Sequence, residues 1–392
     1  MWASRKACFL WGIDVIFRLL FSGDELERME DNMSKKRPLT RKQRRKRKII
    51  LFAFEIIVLL ILIAVLVVAM KMGKINRQDI SEKEIKNNDV DKSTTKAMEK
   101  YTTFALFGLD NRTNGSYDSG NADSIMVVSI DNKTKEVKIA SVYRDSFMKI
   151  DNDSYSKINA AYAQGGAKQM LQALDRNLDL HITDYVAVDW YALAKSVDLL
   201  GGIKVEVTAG EANLINQYIY EAEKTTKIKS HNGKVVAGMN TLDGIQALSY
   251  ARIRHIGNDF QRTERQRTVV NAMLVKAKSA GVGTLLSIID EIMEKISTSM
   301  SYGEMASLAK DVMSYSIGET TGFPYYHKGM TVGRNGDCLV PADLLNNVSK
   351  LHGFLFKNES YIPSSQLKTI NDYIIRQTGV KYTPPTKEDD GN

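Results

Sequence analysis

The feature that most constrains this chain is a hydrocarbon run from Ile49 to Met70, broken only by Glu55. At about 1.5 Å of rise per residue it makes a helix of roughly 33 Å, enough to cross a bilayer core of about 30 Å. Globular helices rarely stay apolar all round for this length, so a buried soluble helix is the weaker reading. The run is too long for an ordinary signal-peptide core, and no small-residue cleavage site follows it. We expect an uncleaved, single-pass anchor. Charge sets its direction. Residues 35–48 hold ten basic side chains and no acid, whereas the far flank mixes Lys71, Lys74 and Arg77 with Asp79, Glu82 and Glu84. The positive-inside rule puts the N-terminus in the cytoplasm and about 320 residues outside the cell membrane. Those ten charges exceed the net +8 of the 392-residue chain, so the remainder is slightly acidic. The basic balance is therefore no argument for a nucleic-acid partner; membrane lipid is the partner such a run implies.

The rest divides around this span. Met33 opens MSKKRPLTRKQRRKRK, an ordinary start for a single-span protein. Residues 1–32 are thus expected to be absent from the native protein or to form a disordered leader in a cytoplasmic tail at 1–48. The polar stretch at 71–100 reads as a partly helical stalk. A folded domain is expected at 101–335, then an extension at 336–392 with helices at Val340 to Phe356 and Asp372 to Thr378. Its end, after Pro384-Pro385, reads as disordered. Cys8 and Cys338 fall on opposite sides of the predicted span and cannot pair within one chain. Five scattered histidines show no zinc-type spacing and support no Ser-His-Asp or Cys-His catalyst.

Within the domain the pattern predicts strands at Tyr101 to Leu109, Ser124 to Ile130 and Val137 to Tyr143, the last two joined by a tight turn. A helix is expected over Asn159 to Leu178, a strand at Tyr185 to Asp189 and a helix at Trp190 to Leu199, stopped by Gly201-Gly202. A strand at Ile203 to Val207 follows. Helices are expected at Thr241 to Ala251, opened by a threonine cap, then at Arg262 to Ser279, Thr284 to Lys295 and Tyr302 to Ser314. Strands mixed with helices imply an α/β fold: a three-layer α/β/α sandwich with a mixed central sheet, preceded by the transmembrane helix.

Chemistry concentrates in two places. Arg252, Arg254, Arg262, Arg265 and Arg267 fall within sixteen residues. The planar guanidinium fork matches phosphate oxygens and stays charged, so this density suits a ligand with more than one phosphate. Asp110 follows the first strand and Asp123 precedes the second. If those strands are neighbours the two carboxylates meet at one sheet edge. Paired carboxylates beside a phosphate site suit Mg²⁺, with substrate phosphate completing its shell; on spacing alone plain turn residues are the stronger reading. Arg144-Asp145 ends the third strand in the same way, and Lys157-Ile158-Asn159 opens the next helix.

These residues resemble the LytR–CpsA–Psr proteins of Gram-positive bacteria. The segments are FGLDNR at 107–112, ADSIMVVSID at 122–131, SVYRDSFMKI at 141–150, KINAAYAQGG at 157–166 and ALSYARIRHIGNDFQRTERQ at 247–266. The resemblance covers roughly residues 97–335. It implies a phosphotransferase that moves a glycopolymer from a polyprenyl-pyrophosphate lipid to the cell wall, typically peptidoglycan. Carried over position by position, it implies that Asp110 and Asp123 hold Mg²⁺ and that Arg144, Arg252, Arg254, Arg262 and Gln266 contact the pyrophosphate. Arg144 and Arg262 are then catalytic. Asp259 is the candidate base, and Lys157 and Asn159 support the site. One position departs: Asn121 stands where many relatives carry arginine, so a phosphate contact is missing or comes from Arg112 or Arg265. The prenyl tail needs an apolar slot; Ile125, Val127, Val142 and Val188 are candidates for it, with ordinary core the stronger reading for each. A lipid-pyrophosphate hydrolase and a non-enzymatic wall-lipid receptor are the competing functions. The polymer itself has no readable code.

Overall fold

The computed structural model describes residues 76–85, 88–110, 117, 120–254, 256 and 259–382. The tail, the basic run, the span at 49–70, Arg112 and the residues after 382 lie outside them. Among the described residues no helix is long and apolar enough to cross a membrane. In chain order the strands are β1 (Asn76–Arg77), β2 (Tyr101–Leu109), β3 (Ala122–Asp131), β4 (Glu136–Val142), β5 (Phe147–Lys149), β6 (Tyr155–Lys157), β7 (Tyr185–Val188), β8 (Ile203–Val207), β9 (Gly238–Leu242), β10 (Ile296–Thr298), β11 (Ser316–Phe323), β12 (His327–Thr331) and β13 (Asp337–Pro341). The helices are α1 (Glu82–Ile85), α2 (Lys92–Met98), α3 (Ala160–Leu178), α4 (Trp190–Leu199), α5 (Ala209–Thr226), α6 (Gly244–Ala251), α7 (Asp259–Ala280), α8 (Val282–Ile292), α9 (Tyr302–Asp311), α10 (Leu344–Phe356) and α11 (Ser365–Thr378).

Seven strands form one mixed sheet in the order β1-β10-β7-β2-β3-β4-β11. The period of two along its central strands sorts side chains to two faces. Ala105, Phe107, Ile125, Val127, Ala140 and Val142 pack under α3, α10 and α11. Met126, Val128, Ile130, Val137 and Ile139 face the other way, against α7, α8 and α9. Helices thus cover both faces of the mixed sheet, as the sequence pattern implied.

Several segments differ from their expected form. Residues 76–100 are no free stalk: β1 pairs with β10, and Ile85, Asn88, Val90 and Thr94 are buried. The C-terminal segment is likewise built in. Asp179, the left-handed C-cap of α3, accepts hydrogen bonds from Asn88 Nδ2, from the Tyr361 hydroxyl and from both the amide (2.9 Å) and hydroxyl (2.7 Å) of Ser364. One buried carboxylate therefore ties the segment between β1 and β2 to the chain after the sheet. Thr241 does not cap a helix. It lies in β9 opposite Lys204, and Asp243 caps α6 through a reciprocal box with Gln246. Val340 ends a strand rather than opening a helix, because Pro341 and the left-handed Asp343 delay α10 to Leu344. Helix α5 and strands β1, β5, β6 and β9 to β13 stand where the sequence pattern predicts no such element.

Two close approaches fix the strand and helix ends that carry the site residues. Gly108 pairs with Ser124, and an added Cβ would lie 2.9 Å from the Ser124 Cβ. Gly244, the first residue of α6, packs on α4 so tightly that a Cβ would lie 2.0 Å from the Ala194 carbonyl oxygen.

Candidate active site

The ends of β2, β3 and β4 meet the end of α6 and the start of α7 at one edge of the sheet. Antiparallel pairing places Gly108 against Ser124 and, after a register shift, Leu109 against Ala122. Asp110 and Asp123 therefore lie at the same edge, as strand adjacency required. Asp123 is the hub. Its Oδ1 accepts from Arg144 Nη1 at 2.8 Å, and its Oδ2 accepts from Arg254 Nη2 at 2.7 Å and Arg262 Nη2 at 2.8 Å. Burial pushes the Asp123 carboxyl up, but Arg262 and Arg144 outweigh burial and hold it below its ordinary value. Burial lowers the Arg262 guanidinium in turn, and Asp123 opposes that. Three cations share one anion, which leaves a surplus of positive potential in a partly dry site.

The neighbouring groups hold this hub. Asp145 lies 3.4 Å from Arg144 Nε and 3.1 Å from Lys157 Nζ. Asn159 begins α3, and its amide donates to the Arg144 carbonyl at 3.2 Å. Lys157 and Asn159 thus position Arg144. Arg265 is turned elsewhere: its Nε donates to Glu211 Oε1 at 2.8 Å, and its other nitrogens hold the carbonyls of Ile253 and Ile256. It braces the loop between α6 and α7 and does not line the site, so it does not make good the absent arginine at Asn121. Arg112 lies outside the described residues, and so does the side chain of Asp259 at the start of α7.

Behind the hub opens a cavity of about 520 Å³. Asp110, Asp123, Arg252, Arg254, Arg262 and Gln266 line its polar end. Its walls are apolar: Leu106 and Met126 from the sheet, Leu193 and Leu248 from α4 and α6, Val269 and Met273 from α7. Ile125, Val127 and Val142 belong to the core under the opposite face, the stronger reading for them, whereas Val188 does line the cavity. Strand parity decides this, since neighbours in a strand point to opposite sides. Trp190, Tyr218 and Glu221 also line the cavity, and no motif in the sequence marks them. Arg252 lies with its guanidinium 3.6 Å from the Trp190 ring centroid and 3.3 Å from Glu221 Oε2.

Two buried acceptors of cavity-lining residues, Asp110 Oδ1 and Gln266 Oε1, have no hydrogen-bond partner among the described residues. An orphaned carboxylate oxygen is costly unless a cation or donor completes it. Asp110 beside Asp123 is the donor set a hard cation takes. The residues therefore fit Mg²⁺. Among the described residues no group of three or more His, Cys, Asp or Glu side chains could hold a metal, so further ligands would have to be substrate or water oxygens.

The family model described as LytR_cpsA_psr matches residues 65–329. The chain belongs to the LytR–CpsA–Psr family. Among its relatives is the polyisoprenyl-teichoic acid–peptidoglycan teichoic acid transferase TagT of Bacillus subtilis, 30% identical over 233 residues, which are 57% of this chain and 69% of that protein. A TagU transferase of the same name from Enterococcus faecalis is 28% identical over 214 residues, 53% of this chain and 65% of that one. The chain thus spans about two thirds of the length of these relatives. Among solved structures, B. subtilis TagV superposes with a TM-score of 0.54 at 26% identity, covering 67% of this chain and 99% of that one. The mixed sheet flanked by helices is the fold of this LytR–CpsA–Psr structure.

Proposed function

We propose that this chain transfers a glycopolymer from a polyprenyl-pyrophosphate lipid carrier to peptidoglycan, working outside the membrane from an anchor at 49–70. The observation that carries the proposal is one cavity with two chemistries: it is lined both by Arg252, Arg254 and Arg262 and by hydrocarbon walls. A ligand with a doubly phosphorylated head and a prenyl tail matches both. The names of the TagT and TagU relatives describe teichoic acid transfer between a polyisoprenyl-linked form and peptidoglycan.

In the resting site Arg144, Arg254 and Arg262 share Asp123. Pyrophosphate oxygens offer them stronger, bidentate partners. Arg252, held by Trp190 and Glu221, completes the clamp. Asp110 and Asp123 would hold Mg²⁺, which supplies positive charge against the phosphate oxygens. An acceptor hydroxyl then attacks the sugar-linked phosphorus. The new O–P bond forms, the bond to the distal phosphate oxygen breaks, and polyprenyl monophosphate leaves with the electron pair. Asp259 is the proposed acceptor of the hydroxyl proton. The arginines stabilise charge that builds on the leaving phosphate, where most of the rate gain of such sites arises.

The test incubates the full chain with lipid-linked polymer and peptidoglycan. Polymer bound covalently to peptidoglycan supports the transferase. Free phosphorylated polymer would make it a hydrolase, and no product at all a receptor.

A further inference from the structure

Helix α5 borders the cavity on one flank only. Tyr218 and Glu221 line the cavity, whereas Tyr220 between them is 75% exposed. One turn earlier, Asn216 holds the backbone of Val235 twice: its Nδ2 donates to the carbonyl at 2.9 Å and its Oδ1 accepts from the amide at 3.0 Å. Val235 is buried by this arrangement, and the next side chain, Val236, is 62% exposed. Met239, at the start of β9, is 65% exposed. Asn240 fixes the tip between them, donating to the carbonyls of Val236 and Gly238, both at 2.8 Å. Three large apolar groups are thus exposed on the helix that borders the cavity and on the hydrogen-bonded segment that Asn216 ties to it.

The charges around them are one-sided. Each glutamate of α5 is committed: Glu211 to Arg265, Glu221 to Arg252 and Glu223 to Lys229. Lys224, Lys227 and Lys234 are exposed and form no ion pair among the described residues. Glu206, across the strand pair from Met239, offsets one of these charges. Exposed apolar groups with unpaired lysines on the same elements are the composition of a surface that meets lipid headgroups, with tyrosine suited to the boundary and lysine to anionic phosphates.

We propose that this lobe docks on an anionic bilayer surface, with Tyr220, Val236 and Met239 at headgroup depth and Lys224, Lys227 and Lys234 on lipid phosphates. This rests on the lipid-carrier reading, because it sets the cavity wall formed by α5 next to the membrane from which the prenyl chain must come.

The test uses the full chain reconstituted in vesicles, with Cys8→Ser and Cys338→Ala removing native thiols. An environment-sensitive fluorophore is placed at Val236→Cys or, for reference, at Met313→Cys, an exposed apolar position outside this lobe. Quenching by doxyl lipid is read in phosphatidylcholine vesicles with and without phosphatidylglycerol. The label at 236 should be quenched roughly twofold or more beyond the label at 313, only with the anionic lipid, and less in high salt. Reversing Lys224, Lys227 and Lys234 to glutamate should remove the difference. Equal quenching at both positions, or quenching indifferent to lipid charge and to the reversal, overturns the proposal. Polymer transfer on the same vesicles separates the two readings. Quenching without transfer defeats the transferase alone, and transfer without quenching defeats the docking surface alone.

Discussion

The two roles proposed for Asp123 cannot be held at once. Accepting from Arg144, Arg254 and Arg262, it neutralises a cationic cluster; bound to a cation, it must release part of that cluster to substrate phosphate. Metal and pyrophosphate should therefore bind cooperatively, each raising the affinity of the other by the same factor. Calorimetric titration of inorganic pyrophosphate with and without Mg²⁺ reads this factor directly. In Asp123→Asn it should shrink towards one, since an amide is a poorer ligand and leaves the arginines without their anion. If Mg²⁺ leaves pyrophosphate affinity unchanged in the wild-type chain, Asp110 and Asp123 are not a metal pair. Arg262 is 6% exposed at the side chain and reaches Asp123 from the buried side. Arg262→Ala should retain the fold, because Arg144 and Arg254 still hold Asp123. It should lose about 1.5–3 kcal/mol of pyrophosphate binding, roughly tenfold or more in affinity. Arg262→Lys should be impaired as well, since a point charge cannot replace a fork.

Among the elements, α7 shows how one helix serves both ends of an amphiphile. Arg262, Gln266, Val269, Val270 and Met273 all line the cavity and recur at helical spacing, with the polar pair first and the apolar group after it. Arg265 falls off that stripe and braces the loop instead. The same helical logic operates at α10, where His352 is fully buried, donates Nε2–H to the Leu178 carbonyl at 2.9 Å and stacks on Tyr361. Burial lowers its pKa to about 4, against the opposing pull of the Leu178 carbonyl and Asp179. The folded value lies below the unfolded one, so the unfolded chain takes the extra proton. This contribution is intact above about pH 6.5 and is lost as pH falls towards 4, on the order of 3 kcal/mol in full. Thermal melts across that window should show the fall. His352→Gln, which keeps a donor for Leu178 but cannot titrate there, should flatten it.

At the scale of the whole molecule, the proposed orientation makes a prediction independent of the chemistry. A reporter fused after Asn392 should be active only outside the cytoplasm, and neutralising Arg41 to Lys48 should weaken that bias. Cytoplasmic activity of the fusion would remove the wall-facing reading. Much of the site was legible in the chain itself. Asp110, Asp123, Arg144 and Arg262 stand at predicted strand or helix ends, and period-two and helical patterns place those ends locally, within a few residues. The two-faced sheet followed from the same periods. What the chain could not decide was which of two opposite faces a strand residue serves: Val188 lines the cavity, whereas Ile125 and Val127 are equally apolar and lie under α3. Nor could it tell the arginine that braces a loop, Arg265, from those that meet at Asp123. Nothing local announced that Trp190 and Glu221 would hold Arg252, or that Asn88 and Ser364 would share Asp179. Such pairings join residues far apart in sequence. Period and propensity act over a few residues, whereas a contact across the sheet exists only once every layer is in place.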